Sequence, residues 1–234
     1  MSPAALDLLR RRCVPAAAAL IAALAANVTL SACSALAPIR DDARYYVLNA
    51  VAVADHGAPP LADVVVGVGP IAMPQYLDRS EMVVRAGDSQ IVALPNARWG
   101  EPLAPNFGHV LAEDLAVELG TVQVVVFPWY AAIQPTYGVA MDVQRFELAD
   151  DGEVHLQARW IVRRLPERTV AAVRETTVAE PAVRSDPGSI AAAMSRAVAA
   201  LGKEVAVAIR GAKRSAAKGA SSPPASRARR SAHH

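Results

Sequence analysis

Glu153-Val154-His155-Leu156-Gln157-Ala158-Arg159-Trp160-Ile161-Val162-Arg163-Arg164 alternates with a period of two. Val154, Leu156, Ala158, Trp160 and Val162 fall on one side, and His155, Gln157, Arg159 and Arg163 on the other. Successive side chains of an extended chain point to opposite faces, so this stretch is a strand with one packed face and one wet face. Such strands belong to antiparallel sheets, since parallel sheets are covered on both sides. The flanking sequence agrees. Ala149-Asp150-Asp151-Gly152 has the turn-forming residues that would join it to a preceding strand, Tyr137 to Leu148. Leu165-Pro166-Glu167-Arg168 turns the chain again into Thr169 to Ala179.

Outward from this centre, the other elements follow from their periodicity. Phe107, Leu111, Leu115 and Leu119 recur every fourth residue, with Val110 widening the stripe, which predicts a helix from Leu103 to Leu119 ended by Gly120. Glu113, Asp114 and Glu118 are expected to face away from it. A second helix begins with Asp186 as N-cap and Pro187 in the first helical position, and carries Ile190, Met194, Val198, Leu201, Val205 and Ile209 as its stripe. Arg44 to Leu48, the continuous apolar run Val64 to Val68, the hairpin Glu81 to Arg85 with Gln90 to Leu94, and Val122 to Phe127 read as further strands. The expected fold class is therefore α+β: a single domain, mostly antiparallel sheet with two long helices packed on one face.

The N-terminal region is of another kind. Arg10, Arg11 and Arg12 precede an Ala/Leu/Val stretch from Val14 to Val28, broken by Pro15 and Asn27 and ending in small residues. A charged segment followed by a short apolar one is the layout of a secretory signal, and the interruptions argue against a spanning helix. Leu30-Ser31-Ala32-Cys33 resembles the lipobox of bacterial lipoproteins. The resemblance implies that signal peptidase II cleaves between Ala32 and Cys33, and that Cys33 carries a diacylglyceryl thioether plus an N-acyl group, palmitate among the expected chains. Two or three acyl chains anchor stably, at about 0.8 kcal/mol per buried methylene. The alternative is an ordinary signal peptide with an incidental cysteine. Residues 1–32 are thus expected to be a lipoprotein signal peptide, 33–43 a lipidated tether, 44–210 the folded domain, and 211–234 a disordered basic tail in which apolar periodicity vanishes.

Charge and cysteine content bound the partners. Of 24 basic residues, three lie in 1–32 and six in 211–234, leaving fifteen against 21 acidic residues between them, a net charge of −6. The domain is mildly acidic and the basicity belongs to the ends, so an exported chain offers no nucleic-acid surface. The six charges of the tail suit anionic phospholipid or lipopolysaccharide, each worth up to about 1 kcal/mol, or are simply solvated. Cys13 and Cys33 are the two cysteines, so a mature lipidated chain has no intramolecular disulfide.

No constellation in the sequence carries catalysis. Gly67-Val68-Gly69-Pro70-Ile71-Ala72 fits a dinucleotide-binding pattern formally, but Pro70 and Pro74 prevent the helix whose N-terminus would hold a pyrophosphate. His109 and Glu113 stand at helical ligand spacing without the second histidine of a metal motif. A Gly-x-Ser-x-Gly elbow is absent, and Asp150-Asp151 falls in a turn. Catalytic residues, metal ligands and a cofactor are not expected.

Val66-Gly67-Val68-Gly69-Pro70-Ile71-Ala72-Met73-Pro74-Gln75-Tyr76-Leu77-Asp78-Arg79 and Arg98-Trp99-Gly100-Glu101-Pro102-Leu103 carry a second resemblance. Tyr45-Tyr46-Val47-Leu48 and Phe127-Pro128-Trp129 fall in matching order. Together they resemble the ABC-type transport auxiliary lipoprotein family over about residues 33 to 210. Pro105-Asn106 stands where the family usually carries acidic helix formers, which leaves the start of that helix open. The resemblance implies a non-enzymatic lipoprotein subunit that accompanies an MCE-domain protein and an inner-membrane ABC transporter permease and ATPase in lipid traffic. Ser34 after Cys33 implies the outer membrane, facing the periplasm. Alternatives are a lipoprotein supporting an outer-membrane barrel, and a lipid-anchored hydrolase; homo-oligomerisation is left open. Pro74, Tyr76, Asp78, Arg79 and Trp99 are the expected partner surface, since Tyr, Trp and Arg are the usual anchors. Against this, Tyr76, Leu77 and Trp99 could simply cover the sheet.

Overall fold

The computed structural model describes residues 42–54, 57–130 and 132–221, with one unit extending from Ala43 onward. Ala32, Cys33 and the tether up to residue 41 lie outside the described residues, as does the tail beyond residue 221.

The predicted three-strand centre is present: β6 (Tyr137–Leu148), β7 (Glu153–Arg164) and β8 (Thr169–Pro181) form two long antiparallel ladders, with Val139 opposite Val162 and Leu156 opposite Val178. Val154, Leu156, Ala158, Trp160 and Val162 are all fully buried, as the alternation requires. The Trp160 Nε1–H reaches Thr176 Oγ1 at 2.9 Å, which satisfies the one polar atom of the largest core side chain.

The free edge of β6 serves two partners. Its first half pairs in parallel with β2 (Val66–Ala72), which takes the short β5 (Val124–Val126) on its other side. Its last residue, Leu148, meets Val84 of β3 (Glu81–Ala86). From β3 the sheet continues antiparallel to β4 (Gln90–Trp99) and then parallel to β1 (Arg44–Tyr46). The sheet is therefore mixed, with its longest ladders antiparallel. Val122 is 95% exposed, so β5 begins two residues later than the apolar run suggests.

Helix α1 (Leu103–Leu119) starts at the expected residue in spite of Pro105-Asn106. Pro105 falls in the first turn, where backbone N–H groups have no helical acceptor anyway. Gly120 closes the helix in the left-handed conformation, and Arg210 donates to the Glu118 carbonyl at 2.8 Å. Phe107 meets Phe146 of β6 edge-on at 5.4 Å. Helix α2 (Pro187–Ser221) packs on β6, β7, β8 and α1, and its six stripe residues are buried as expected. It does not end at residue 210: residues 211–221 are helical, a correction to the expected disordered tail. Ala, Lys and Arg are good helix formers, so the helix persists where its apolar face stops. Among the described residues no helix is long and apolar enough to cross a membrane.

Between β1 and β2 the chain leaves the sheet, and side chains rather than a ladder hold it. Leu48 N–H donates to Asn106 Oδ1 at 2.7 Å, and Asn49 N–H to Ser195 Oγ at 3.1 Å. Val51 and Ala52 N–H both donate to Asp114 Oδ1, at 2.9 and 2.8 Å. Asp114, expected to face solvent, is fully buried, and its Oδ2 has no partner among the described residues. Burial pushes its carboxyl pKa up, against those two N–H bonds and with the charges of Glu113 and Glu118.

Candidate partner surface

Beyond Ala72 the chain turns through Met73-Pro74 into one turn of 3-10 helix, Gln75–Leu77, with Leu77 N–H on the Pro74 carbonyl at 2.9 Å and Asp78 N–H on the Gln75 carbonyl at 3.1 Å. Leu77 plugs the core, 2% exposed. Tyr76 is half-buried, and its hydroxyl donates to Glu147 Oε2 at 2.8 Å. Glu147, at 0% exposure, is the hub of this corner. Its Oε1 accepts from Arg85 Nε at 2.7 Å and Arg145 Nε at 2.9 Å, and its Oε2 also takes Phe146 N–H at 3.0 Å. A buried carboxylate is tolerable only when paired in this way. Burial, then the bond to Glu147, pushes the Tyr76 hydroxyl pKa up to about 12, and the same carboxylate raises that of Arg85.

Of the five residues expected to form a partner surface, two therefore have structural work. Trp99 is 6% exposed and closes the entry to α1, its N–H on the Ser80 carbonyl at 2.7 Å. Tyr76 ties the turn to Glu147. Pro74 is half-buried, and Asp78 and Arg79 are exposed, Arg79 lying 3.1 Å from Glu81 Oε2. Asp78, Arg79 and Trp99 do line one shallow cleft of about 320 Å³, with Ser80, Glu101 and Pro102.

A second surface, which sequence reasoning had used only as a marker of order, is more apolar. Phe127 is 51% exposed and Tyr130 82%, with Trp129 edge-on to Phe127 at 5.4 Å. The two glycines of the pseudo-dinucleotide motif make room for this segment. A Cβ on Gly67 would stand 2.8 Å from Trp129 Cζ3, and one on Gly69, at φ +113, would stand 2.7 Å from Phe127 Cβ. Gly-x-Gly thus lies inside β2 rather than at a strand-to-helix turn. Phe127 also rims an apolar cleft of about 330 Å³ between β2 and α1, lined by Val68, Pro70, Ile71, Pro105 and Gly108 among others. The available signal was three aromatic residues within 127–130, directly after an apolar strand.

At the β6–β7 turn, titratable groups pair with one another. His155 Nε2 lies 2.7 Å from Asp151 Oδ2, and Glu153 N–H donates to Asp151 Oδ1 at 3.0 Å, which lowers the Asp151 pKa, the His155 bond being the larger cause. Asp151, Glu153 and His155 stand within ligand reach of one another, on an exposed hairpin turn where the ring already has its carboxylate partner. His109 is exposed at the apolar cleft, and Glu113 is exposed one turn further along α1.

Comparison with known proteins agrees with this architecture. A crystal structure of a Xanthomonas campestris protein of the DUF330 family is similar at a TM-score of 0.64 and 20% identity, covering 74% of this chain and 99% of that one. A second crystal structure, of an uncharacterized protein, is similar at a TM-score of 0.57 and 20% identity, over 70% of this chain and 97% of that one. At such identity the likeness is one of fold. Among curated proteins, none matches the sequence. The family described as ABC-type transport auxiliary lipoprotein component matches residues 46–206, from β1 to within α2. The chain belongs to the ABC-type transport auxiliary lipoprotein component family.

Proposed function

We propose that the chain is a non-enzymatic, PqiC-like lipoprotein subunit of an MCE/ABC-type phospholipid-trafficking system that maintains envelope integrity. Cys33 holds it by its lipid in the outer membrane, facing the periplasm, where it docks an MCE-domain protein served by an inner-membrane permease and ATPase. Membership of a transport auxiliary lipoprotein family supports the reading at its coarser level. The observation that carries docking is the aromatic edge at Phe127 and Tyr130 beside an apolar cleft. Exposed aromatic side chains next to a concave apolar site are what a hot spot needs: area to desolvate and a pocket for the partner's own anchor. Pro74, Asp78 and Arg79 follow the end of β2, and Asp78 and Arg79 line a separate shallow cleft that offers the partner polar contacts.

The test is retention of the MCE-domain protein by the full-length lipoprotein solubilised from membranes. Phe127→Ser with Tyr130→Ser should lower retention at least tenfold while the protein stays folded, and Cys33→Ala should leave an uncleaved precursor. Retention unchanged by the double substitution, or retention of an outer-membrane barrel in place of the MCE-domain protein, would overturn the proposal.

A further inference from the structure

The last apolar residue of the α2 stripe, Ile209, is fully buried, yet the helix continues through Arg210, Lys213, Arg214 and Lys218. Arg210 and Lys213 are used by the fold. Arg210 donates to the Pro59 and Glu118 carbonyls, and Lys213 pairs with Asp63. Arg214 has no carboxylate partner among the described residues. It lines a groove of about 760 Å³ between the end of α2 and the start of β8. Arg174, also without a carboxylate among the described residues, and Arg164, which shares Glu167 at 3.2 Å, line the same groove. No Asp or Glu is among its lining residues. Three guanidinium groups face the groove against the single carboxylate of Glu167 at its rim, an excess of positive charge that favours an anion.

Apart from Thr169 and Ser215, the rest of the lining is apolar. Val170 and Val207 are 58% and 56% exposed there, beside Ala172 and Ala208. Gly211 leaves the groove open along the helix: a Cβ at that position would meet nothing within 4 Å. A bare anion has no use for such walls, whereas an amphiphile does. An added peptide strand is disfavoured, because Ala171 is a bulge: Ala172 pairs with Val162 and Val170 with Arg163, which breaks the β8 edge at the groove. Guanidinium forks match phosphate oxygens two at a time.

We propose that this groove binds an anionic glycerophospholipid, its phosphodiester held by Arg164, Arg174 and Arg214 and the upper part of its acyl chains against Val170 and Val207. The site is independent of the aromatic edge, so partner retention and lipid binding are separate readouts.

The experiment is calorimetric titration of the full-length protein in nonionic detergent with dihexanoyl-phosphatidylglycerol. Parallel arms use dihexanoyl-phosphatidylcholine, sn-glycerol 3-phosphate, inorganic phosphate and a polyglutamate peptide. Phosphatidylglycerol should bind, and Arg174→Gln and Arg214→Gln should each weaken it about tenfold, the worth of one charged hydrogen bond. Gly211→Leu should fill the groove and abolish binding with the thermal melt preserved, since the change favours helix. Absence of binding, or binding indifferent to all three substitutions, would overturn the proposal. Glycerol phosphate or inorganic phosphate binding as tightly as the lipid would show that the groove reads charge alone. Tighter binding of polyglutamate would assign it to an acidic protein segment. Either of these results also overturns it.

Discussion

Replacing Asp114 by Asn, and separately by Ala, separates the two things its carboxyl does. Oδ1 holds the Val51 and Ala52 N–H groups, and Oδ2 is buried without a partner among the described residues. Ala removes the acceptor from two half-buried donors, each costing about 1 kcal/mol when stranded, and leaves a void between the helices, for a loss of about 2–3 kcal/mol. Asn keeps the acceptor and removes the buried charge. Burial raises the Asp114 pKa, so the folded protein holds this proton to higher pH than the unfolded chain does. The stability contributed by the neutral carboxyl is present in full below the unfolded value, about 3.9, and is lost as pH rises through the folded value. Across that window the parent loses up to about 1.4 kcal/mol per pH unit through this one group, and the Asn variant loses nothing through it. Urea unfolding followed by far-ultraviolet circular dichroism, at pH steps from about 4 to about 8, measures both curves. The Asn variant should match or exceed the parent at the top of the range and fall behind it toward the bottom. Parallel curves for parent and Asn variant, or an Asn variant as unstable as Ala, would refute a strained, desolvated carboxyl at this site.

Glu147→Gln should lower stability by about 3–5 kcal/mol, because Arg85 and Arg145 lose the charge that both face; thermal melting reads the loss, and a change below about 1 kcal/mol would count against a buried hub. Thr176→Val strands Trp160 Nε1 and should cost about 1–3 kcal/mol with a changed near-ultraviolet dichroism, while Thr176→Ser should restore most of it. Gly67→Ala should push Trp129 off β2 and shift tryptophan emission to the red, with Trp99 and Trp160 unaffected in their buried positions. An unchanged spectrum would mean the aromatic segment does not rest on that glycine.

The sheet centre and both stripes were legible because each needs only its own periodicity. β7 keeps strict alternation from Glu153 to Arg163, and α1 is bounded by an apolar stripe and Gly120. Asp114 was not legible. A carboxylate among apolar helix positions reads as solvent-facing, and its donors come from Val51 and Ala52, residues without strand or helix pattern of their own. The extension of α2 was missed for the opposite reason: its helix-forming residues carry no apolar rhythm, so only propensity marks them. At the candidate surface, composition identified Tyr76 and Trp99 as anchors without showing what they hold. Tyr76 is claimed by Glu147, a residue far along the chain, and Trp99 by the core. The exposure of Phe127 and Tyr130 is not legible either, since a short strand gives no sign of which side it leaves open.

The stretch from Leu48 to Ala52 has a mechanical consequence. A pull applied through the N-terminal end of the domain reaches β1, a strand of three residues, and then a run fastened by Asn106, Ser195 and Asp114 to both helices. Such fastenings divide the load between two helices, so this run does not come away one rung at a time as a sheet margin does. A load entering from that end meets the two helices before it reaches the long ladders of β6, β7 and β8.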